Sequence, residues 1–481
     1  MVLFLLVGVA VAQSAGSERL VPQGVPGAVA YVKVTHEETY APEGKSPIEV
    51  RRTAVRRLAV EPDGSDPLVL RITTRTDLGA AMAPTADVSL AAVVDAASWA
   101  ARDTAAGVGM VLPVPVLSSS RVSGDLGARL DLSPFDAVTD AVGKGTVGTS
   151  VSVAWKGALR LEPRRRDVAS SRPAFRAPSG VTSGIGTFAA TMTHDALDGL
   201  PSAGRAQAEL GVVTPTGTVR IVLRATFERI AFPPAMIPGL VEVGEGTLPL
   251  VISAPHGGRA KVPDTPERTG QGVDRFVTVL DGNTYEVARG VVDGLSEKLG
   301  GKPWWVLAKA ARKFADVNRA ADNAYESDGG RAFFEAYHDA VWTATRAVRT
   351  AWGTGMMFDI HGQGTRADTI FRGTAHRTTM GRAIDVFGKD AVVGDKSALG
   401  VLASRGRRVF PANADWETPE HASYTGGYIT RTYGGRDRGF DTMQFELGND
   451  YRKAEGRTAA VKDLVDAIVS QREHFLPKAR R

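Results

Sequence analysis

Leu248-Pro249-Leu250-Val251-Ile252-Ser253 runs into Pro255-His256-Gly257-Gly258, and further along Gly355-Met356-Met357-Phe358 runs into Asp359-Ile360-His361-Gly362. Each apolar run reads as a buried strand that delivers a histidine at its end. A histidine just past a buried strand projects into the crevice where open α/β sheets bind ligands. The glycine beside each imidazole leaves room for both rings to approach one metal ion. With a carboxylate as third ligand, this is the layout of a catalytic zinc site that keeps one position for water.

Composition sets the bounds. A chain of 481 residues exceeds what one core organises, so two or three domains are expected. Apolar content of 43% and charged content of 23% are ordinary globular values, which excludes bulk disorder. The formal net charge of +5 is small for this length. The basic runs Arg164-Arg165-Arg166 and Arg405 to Arg408 have no interleaved aromatics and read as solvated loops, so nucleic acid is not an expected partner. Cysteine is absent, which excludes disulfides, thiol catalysis and cysteine-based zinc sites. Any metal must be held by histidine and carboxylate.

The apolar run Val2 to Val9, followed by Ala10-Val11-Ala12, resembles the end of a secretory signal peptide. The basic segment that normally precedes such a run is missing, which points to a truncated start. Residues 1–18 are therefore expected to be a signal peptide or hydrophobic segment, and the protein exported, periplasmic or extracellular. The alternative is a buried N-terminal strand and a cytoplasmic protein. The run is too short to span a bilayer, and no integral membrane span is expected elsewhere.

Residues 19–236 read as a β-rich, sandwich-like accessory region. Ala28 to Val34, Ile48 to Val60, Leu68 to Thr74, Val147 to Trp155 and Thr218 to Phe227 alternate with period two. Ala86 to Ala106 is alanine-rich and predicts a helix, and Arg164 to Gly186 predicts a long loop. His36 and His194 have no spacing that suggests a shared metal. The prolines and glycine from Phe232 to Gly239 mark a junction. Residues 237–481 then alternate strands and helices, the pattern of an α/β layered fold with a mostly parallel or mixed sheet. Strands are expected at Leu248 to Ala254, Trp304 to Ala308, Met356 to Ile360 and Thr442 to Leu447. Helices are expected at Thr284 to Leu299, Arg331 to Trp352 and Arg457 to His474.

Seven elements occur in order: Pro255-His256-Gly257-Gly258; Asp281 ahead of a helix; Arg312 with Asp316-Val317-Asn318-Arg319; Tyr337-His338; Asp359-Ile360-His361; Gly426-Gly427-Tyr428-Ile429-Thr430-Arg431; and Gln444-Phe445-Glu446-Leu447. In these elements the C-terminal half resembles the N-formylglutamate amidohydrolases, a family similar to the zinc carboxypeptidases and aspartoacylases. The resemblance implies an α/β/α layered, zinc-carboxypeptidase-like catalytic domain. The family usually has serine where Gly257 and Gly362 stand, and these changes are expected to alter substrate contacts without touching the metal. The related carboxypeptidases place glutamate three residues after the first histidine; here that residue is Arg259, which cannot bind a metal.

The resemblance makes His256 and His361 ligands of one zinc ion, with Asp281 as the third ligand and Glu286, one turn further on, as the alternative. Asp359 would share a strand face with His361 and is expected to orient a ligand imidazole. Glu446 falls where the family carries its catalytic glutamate, and burial in an apolar strand suits a general base; the alternative is a carboxylate satisfied by a core arginine. Arg319, with Asn318, matches the catalytic position that holds the substrate carboxylate, which suits a guanidinium fork. Its structural alternative is a salt bridge to Asp316 or Asp322. Tyr428 and Arg431 are expected to line the same pocket, behind glycines that let a loop approach ligand. His338 reads as a packed, hydrogen-bonded residue; His376 and His421 carry no role.

The expected activity is zinc-dependent hydrolysis of the amide in an N-acyl amino acid such as N-formyl-L-glutamate. The alternatives are an exported carboxypeptidase-like hydrolase of peptides or cell-wall fragments, and a non-catalytic surface binding protein on a hydrolase scaffold. The expected partner is a small molecule; oligomeric state is not readable from the sequence.

Overall fold

The computed structural model describes residues 28–62, 200–214, 217–231, 239–271, 273 and 276–478, with the strands Leu5–Val7, Val69–Thr76, Leu90–Asp95, Val108–Leu112, Leu126–Leu132, Ser150–Pro163 and Ser183–Asp195. Two compact units succeed one another, the change falling between residues 233 and 234.

The first unit holds one nine-stranded sheet. Every neighbouring pair in it is antiparallel. Period two sorts its side chains: Ala206, Ala208, Leu210 and Val212 are buried while Arg205 and Gln207 are exposed. Val29–Pro42 to Leu90–Asp95 run side by side in chain order, as do Leu126–Leu132 to Gly217–Ile230. Gly217–Ile230 pairs with Val29–Pro42, which joins the two meanders and leaves Leu90–Asp95 and Leu126–Leu132 at opposite edges of one sheet, where a sandwich-like region was expected. The helix expected over Ala86 to Ala106 is corrected as well. Leu90–Asp95 is a strand paired with Val69–Thr76. Val93 and Val94 suit an available sheet edge, and pairing there overrides the weak helix preference of alanine; the rest of that segment lies outside the described residues. Of the segment expected to loop, Ser183 onward is strand and residues 164–182 lie outside the described residues. Leu5–Val7 pairs antiparallel with Val108–Leu112, and the remainder of residues 1–18 also lies outside. Among the described residues no helix is long and apolar enough to cross a membrane.

The second unit is α/β. Its strands are β1 (Val241–Gly244), β2 (Leu250–Ala254), β3 (Trp304–Ala308), β4 (Met356–Gly362), β5 (Thr369–Gly373), β6 (Arg408–Phe410) and β7 (Asp441–Leu447). They form a mixed seven-stranded sheet in the order β1-β3-β2-β4-β7-β5-β6. The central strands β3, β2, β4 and β7 are mutually parallel, and the outer pairings β1/β3 and β7/β5 are antiparallel. Three long helices follow the expected pattern: α1 (Thr284–Leu299), α2 (Asp328–Trp352) and, near the C-terminus, a 22-residue helix that follows the short helices α3 (Tyr428–Tyr433) and α4 (Asn449–Arg452) and is labelled α5 (Ala454–Phe475).

Alternation along the central strands decides where chemistry can sit. Ile252, Phe358, Ile360, Met443 and Phe445 enter one core with Val287 and Val291 of α1 and Leu464 and Ile468 of α5. Burying such side chains contributes about 1.5–3 kcal/mol each. The other face carries Ser253, Asp359, His361, Gln444 and Glu446, all buried. Tyr337 of α2 covers part of it and hydrogen-bonds Ser253 at 2.8 Å. The polar groups therefore gather on one face, toward the C-terminal ends of parallel strands, where open sheets keep their crevice.

One buried ion pair fixes the loop that walls this crevice. Arg372 on β5 donates to Glu420 at 3.0 Å, and the two are 1% and 4% exposed. Glu420 also accepts from the N–H groups of Thr374 and His376. It thereby holds a turn in which Ala375, His376 and Arg377 all have positive φ, of 46°, 52° and 77°. Each such residue costs on the order of 1 kcal/mol or more and persists only where its surroundings enforce it. Ala375 N–H in turn holds Thr425 C=O at 2.5 Å. Glu420→Ala leaves Arg372 buried without its carboxylate and is expected to cost about 3–5 kcal/mol in a urea unfolding curve; a change under about 1 kcal/mol disproves the anchor role.

Candidate metal and catalytic site

His256 follows β2 and His361 ends β4, and their ring centroids lie 4.8 Å apart at 79°. Asp281 precedes α1, and its backbone N–H donates to His256 C=O at 3.2 Å. Its Oδ2 lies 3.4 Å from His256 Nδ1 and 3.3 Å from His361 Nδ1. The far side of each ring meets another carboxylate: His256 Nε2 is 2.8 Å from Asp316 Oδ1, and His361 Nε2 is 3.0 Å from Asp359 Oδ2. Each ring thus faces one carboxylate with Nε2 and shares Asp281 with the other ring through Nδ1.

This arrangement fits a cation. His256, Asp281 and His361 each offer a ligand atom, all within 4.8 Å of one another, and can hold a metal ion. His256 Nδ1 is buried without a hydrogen-bond partner. Ligand atoms at about 2.1 Å from a tetrahedral ion stand about 3.4 Å apart, the spacing of each Nδ1 from Asp281 Oδ2. Imidazoles backed by carboxylates through their second nitrogen are the usual outer support of such ligands. Glu286 is exposed on α1 and outside the cluster, so the choice between the two acids falls to Asp281.

The charges are arranged to keep the acids ionised. Burial alone would raise Asp281, but the His256 and His361 imidazoles hold it below the ordinary carboxylate range. Asp316 is likewise held well down, burial being outweighed by His256 and then Arg312. Burial draws His361 toward neutrality, and Asp359 with Asp281 reverses that and raises it. Arg312 bridges the two carboxylates, donating to Asp316 Oδ2 at 2.7 Å and lying 3.6 Å from Asp281 Oδ1.

Glu446 on β7 stands in register with His361 on β4. Burial pushes its carboxyl up to about 7. Gln444 Nε2 donates to Glu446 Oε1 at 2.6 Å, and no core arginine is hydrogen-bonded to it among the described residues. Glu446 lines a cavity of about 1040 Å³ together with His256, His361, Asp281, Arg319, Tyr428 and Arg431. Arg319 is 31% exposed at its side chain and 3.9 Å from Asp316, whose oxygen Arg312 already holds. Its Nη1 donates to Asn318 C=O, which leaves most of the fork for the cavity. Asn318 is buried; its Oδ1 accepts from Ile429 N–H at 2.9 Å and its Nδ2 lies 3.3 Å from His361 Nε2. Arg431 is exposed and braced on Gly426 C=O and Thr425.

Three glycines are closely packed. A Cβ at Gly257 would meet Tyr285 N at 2.3 Å, at the start of α1. One at Gly362 would meet the Arg452 guanidinium at 2.6 Å, and one at Gly427 would meet Asn318 Nδ2 at 2.1 Å. Gly362, Gly426 and Gly427 also line the cavity.

Asp316, Arg312, Gln444 and Arg452 were not marked as site residues by the sequence. Arg312, Asp316 and Gln444 stood in the quoted elements without a role; Arg312 and Asp316 pair across a turn, where no helical spacing announces it. His338 is packed as expected, its Nε2 2.8 Å from Val317 C=O and its Nδ1 2.9 Å from Tyr433 Oη. His376 and His421 do not join the cluster.

No family model matches the chain, and no curated protein does. Among solved structures, the N-formylglutamate amidohydrolase from Ralstonia eutropha JMP134 aligns over 48% of this chain and 97% of its own, at 15% identity and a TM-score of 0.33. Ail, the attachment invasion locus protein of Yersinia pestis, aligns over 43% and 100%, at 6% identity and a TM-score of 0.12. DynF from the dynemicin pathway of Micromonospora chersina aligns over 47% and 94%, at 7% identity and a TM-score of 0.17. Likenesses at this level carry no function.

Burial lowers His338 to about 4 from its ordinary value near 6.5. The unfolded chain then binds the extra proton between those values, so His338 lowers stability as pH falls from about 6.5 to about 4 and adds no further loss below. Denaturant midpoints at pH 7 and pH 5 should fall more for the parent than for His338→Gln; equal falls rule out a neutral buried imidazole.

Proposed function

We propose that the second unit is a zinc-dependent hydrolase of the amide bond in a carboxylate-bearing N-acyl amino acid, on a zinc-carboxypeptidase-like fold. One observation supports this above the rest: two buried imidazole nitrogens and one carboxylate oxygen converge, and a carboxyl raised to about 7 stands in register beside them. The donor set is nitrogen and oxygen without sulfur, which suits zinc held by two histidines and a carboxylate. When bound, the ion supplies a Lewis acid and lowers the pKa of water to about 7.

The chain's own residues supply the remainder. Gln444 pins one oxygen of Glu446 and leaves the other toward the cavity, where it takes a proton from the attacking water. The water oxygen bonds to the amide carbon, the carbon–nitrogen bond breaks, and Glu446 returns the proton to the leaving amine. A carboxyl near 7 can do both at neutral pH. Arg319 pairs its fork with the substrate carboxylate and aligns the amide, which turns binding energy into orientation. Asn318 steadies Ile429 at the start of α3, which presents Tyr428 and Arg431 to the same cavity. N-formyl-L-glutamate is the substrate that the sequence resemblance implies.

The cavity favours a second reading. About 1040 Å³ is the upper end of what drug-sized ligands occupy, and far more than a formyl amino acid fills. A carboxypeptidase-like hydrolase of peptides or cell-wall fragments uses the same groups. Elemental analysis of the purified chain, then a hydrolysis screen over N-formyl, N-acetyl and peptidyl amino acids, separates the two. Absence of bound zinc together with absence of hydrolysis disproves both.

Glu446→Gln is expected to keep its metal and lose at least about 100-fold in kcat; a loss under about tenfold removes the general base. Arg319→Ala should weaken kcat/KM for carboxylate-bearing substrates by about 1.5–3 kcal/mol and leave neutral amide analogues nearly unchanged. Equal losses on both would make the arginine structural.

A further inference from the structure

Arg452 ends the short helix α4 and is 6% exposed, yet no carboxylate is hydrogen-bonded to it among the described residues. Its three donors go to backbone carbonyls on three separate segments. Nε donates to Leu447 C=O at 3.0 Å, next to Glu446. Nη1 donates to Gly282 C=O at 2.6 Å, next to Asp281. Nη2 donates to Gln363 C=O at 3.0 Å, two residues beyond His361. The tether is doubled from the other side. Asn283, in a left-handed conformation at φ 65°, donates its side-chain amide to Arg452 C=O at 3.1 Å. Gly362 leaves the space in which the guanidinium lies.

We propose that Arg452 is the positioning residue of the metal cradle: its planar fork fixes the segments bearing Asp281, His361 and Glu446 relative to one another. The proposal rests on the metal reading above. Only arginine has donors in one plane aimed in three directions; lysine is a point charge on a flexible stem. The sign of the effect separates position from charge. A buried cation beside a metal site repels the metal, so an arginine acting by its charge would bind metal better once removed. Positioning requires the reverse, since loss of outer support typically weakens metal binding about 10–100-fold.

The test uses the full-length chain stripped by a chelator and titrated with Zn²⁺ alone against a chromophoric competitor, with circular dichroism and melting temperature followed in parallel. Arg452→Met and Arg452→Lys are both expected to bind Zn²⁺ about 10–100-fold more weakly while keeping the parent's fold. Tighter binding by Arg452→Met, full rescue by Arg452→Lys, or unchanged affinity in both overturns the proposal. Gly362→Ala keeps Arg452 and displaces its guanidinium, so it should weaken binding in the same direction. It carries the test alone if the Arg452 variants do not fold, and unchanged affinity there overturns the proposal too. A parent chain that takes up no Zn²⁺ removes the metal reading and this inference together; a parent that binds beside variants that bind equally removes only the inference.

Discussion

Two buried imidazole nitrogens converge on one carboxylate oxygen, at 3.3 and 3.4 Å. In a buried site that convergence is stabilised by positive charge between the groups, whether protons or a cation. Everything around the trio enforces that geometry. Asp316 and Asp359 hold the far nitrogens, and Arg312 holds Asp281 and Asp316. The site is a frame of charges whose centre can hold a metal ion.

The four arginines near the cavity divide by what they already hold. Arg312 gives its donors to carboxylates and Arg452 to carbonyls, and both are buried. Arg319 and Arg431 hold mostly backbone oxygens and face the cavity, partly or fully exposed. Buried framework and cavity wall thus use different residues of one type, and side-chain identity alone does not tell them apart.

That difference explains what the sequence could disclose. Strand-end histidines were legible because period-two patterning marks the end of a buried strand, and His256 and His361 lie where it pointed. Asp281 was readable as an acid ahead of a well-formed helix. Asp316 was weighed as a partner for Arg319 and lies 3.9 Å from it, but tertiary neighbours bring His256 and Arg312 closer to the same carboxylate. Arg452 left no local trace; its meaning is in contacts across segments far apart in the chain. Gln444 stood in a quoted element beside Glu446, but its hold on that carboxylate was not legible. The close packing of Gly257 and Gly362 also depends on distant neighbours. In the first unit five of the nine strands of the sheet were legible one by one. Their assembly into one sheet was not, because pairing order is a property of connections and not of strand composition. Leu90–Asp95 shows the same limit, an alanine-rich stretch captured by an edge.

The loop from His421 to Tyr428 hangs from Glu420 and the left-handed turn at residues 375–377 at one end. At the other, Gly427 N–H donates to Gln444 Oε1 at 2.8 Å, and Gln444 in turn donates to Glu446. The wall and the central strands are therefore coupled through a single side-chain amide, so a shift of the loop reaches Glu446 by way of one residue.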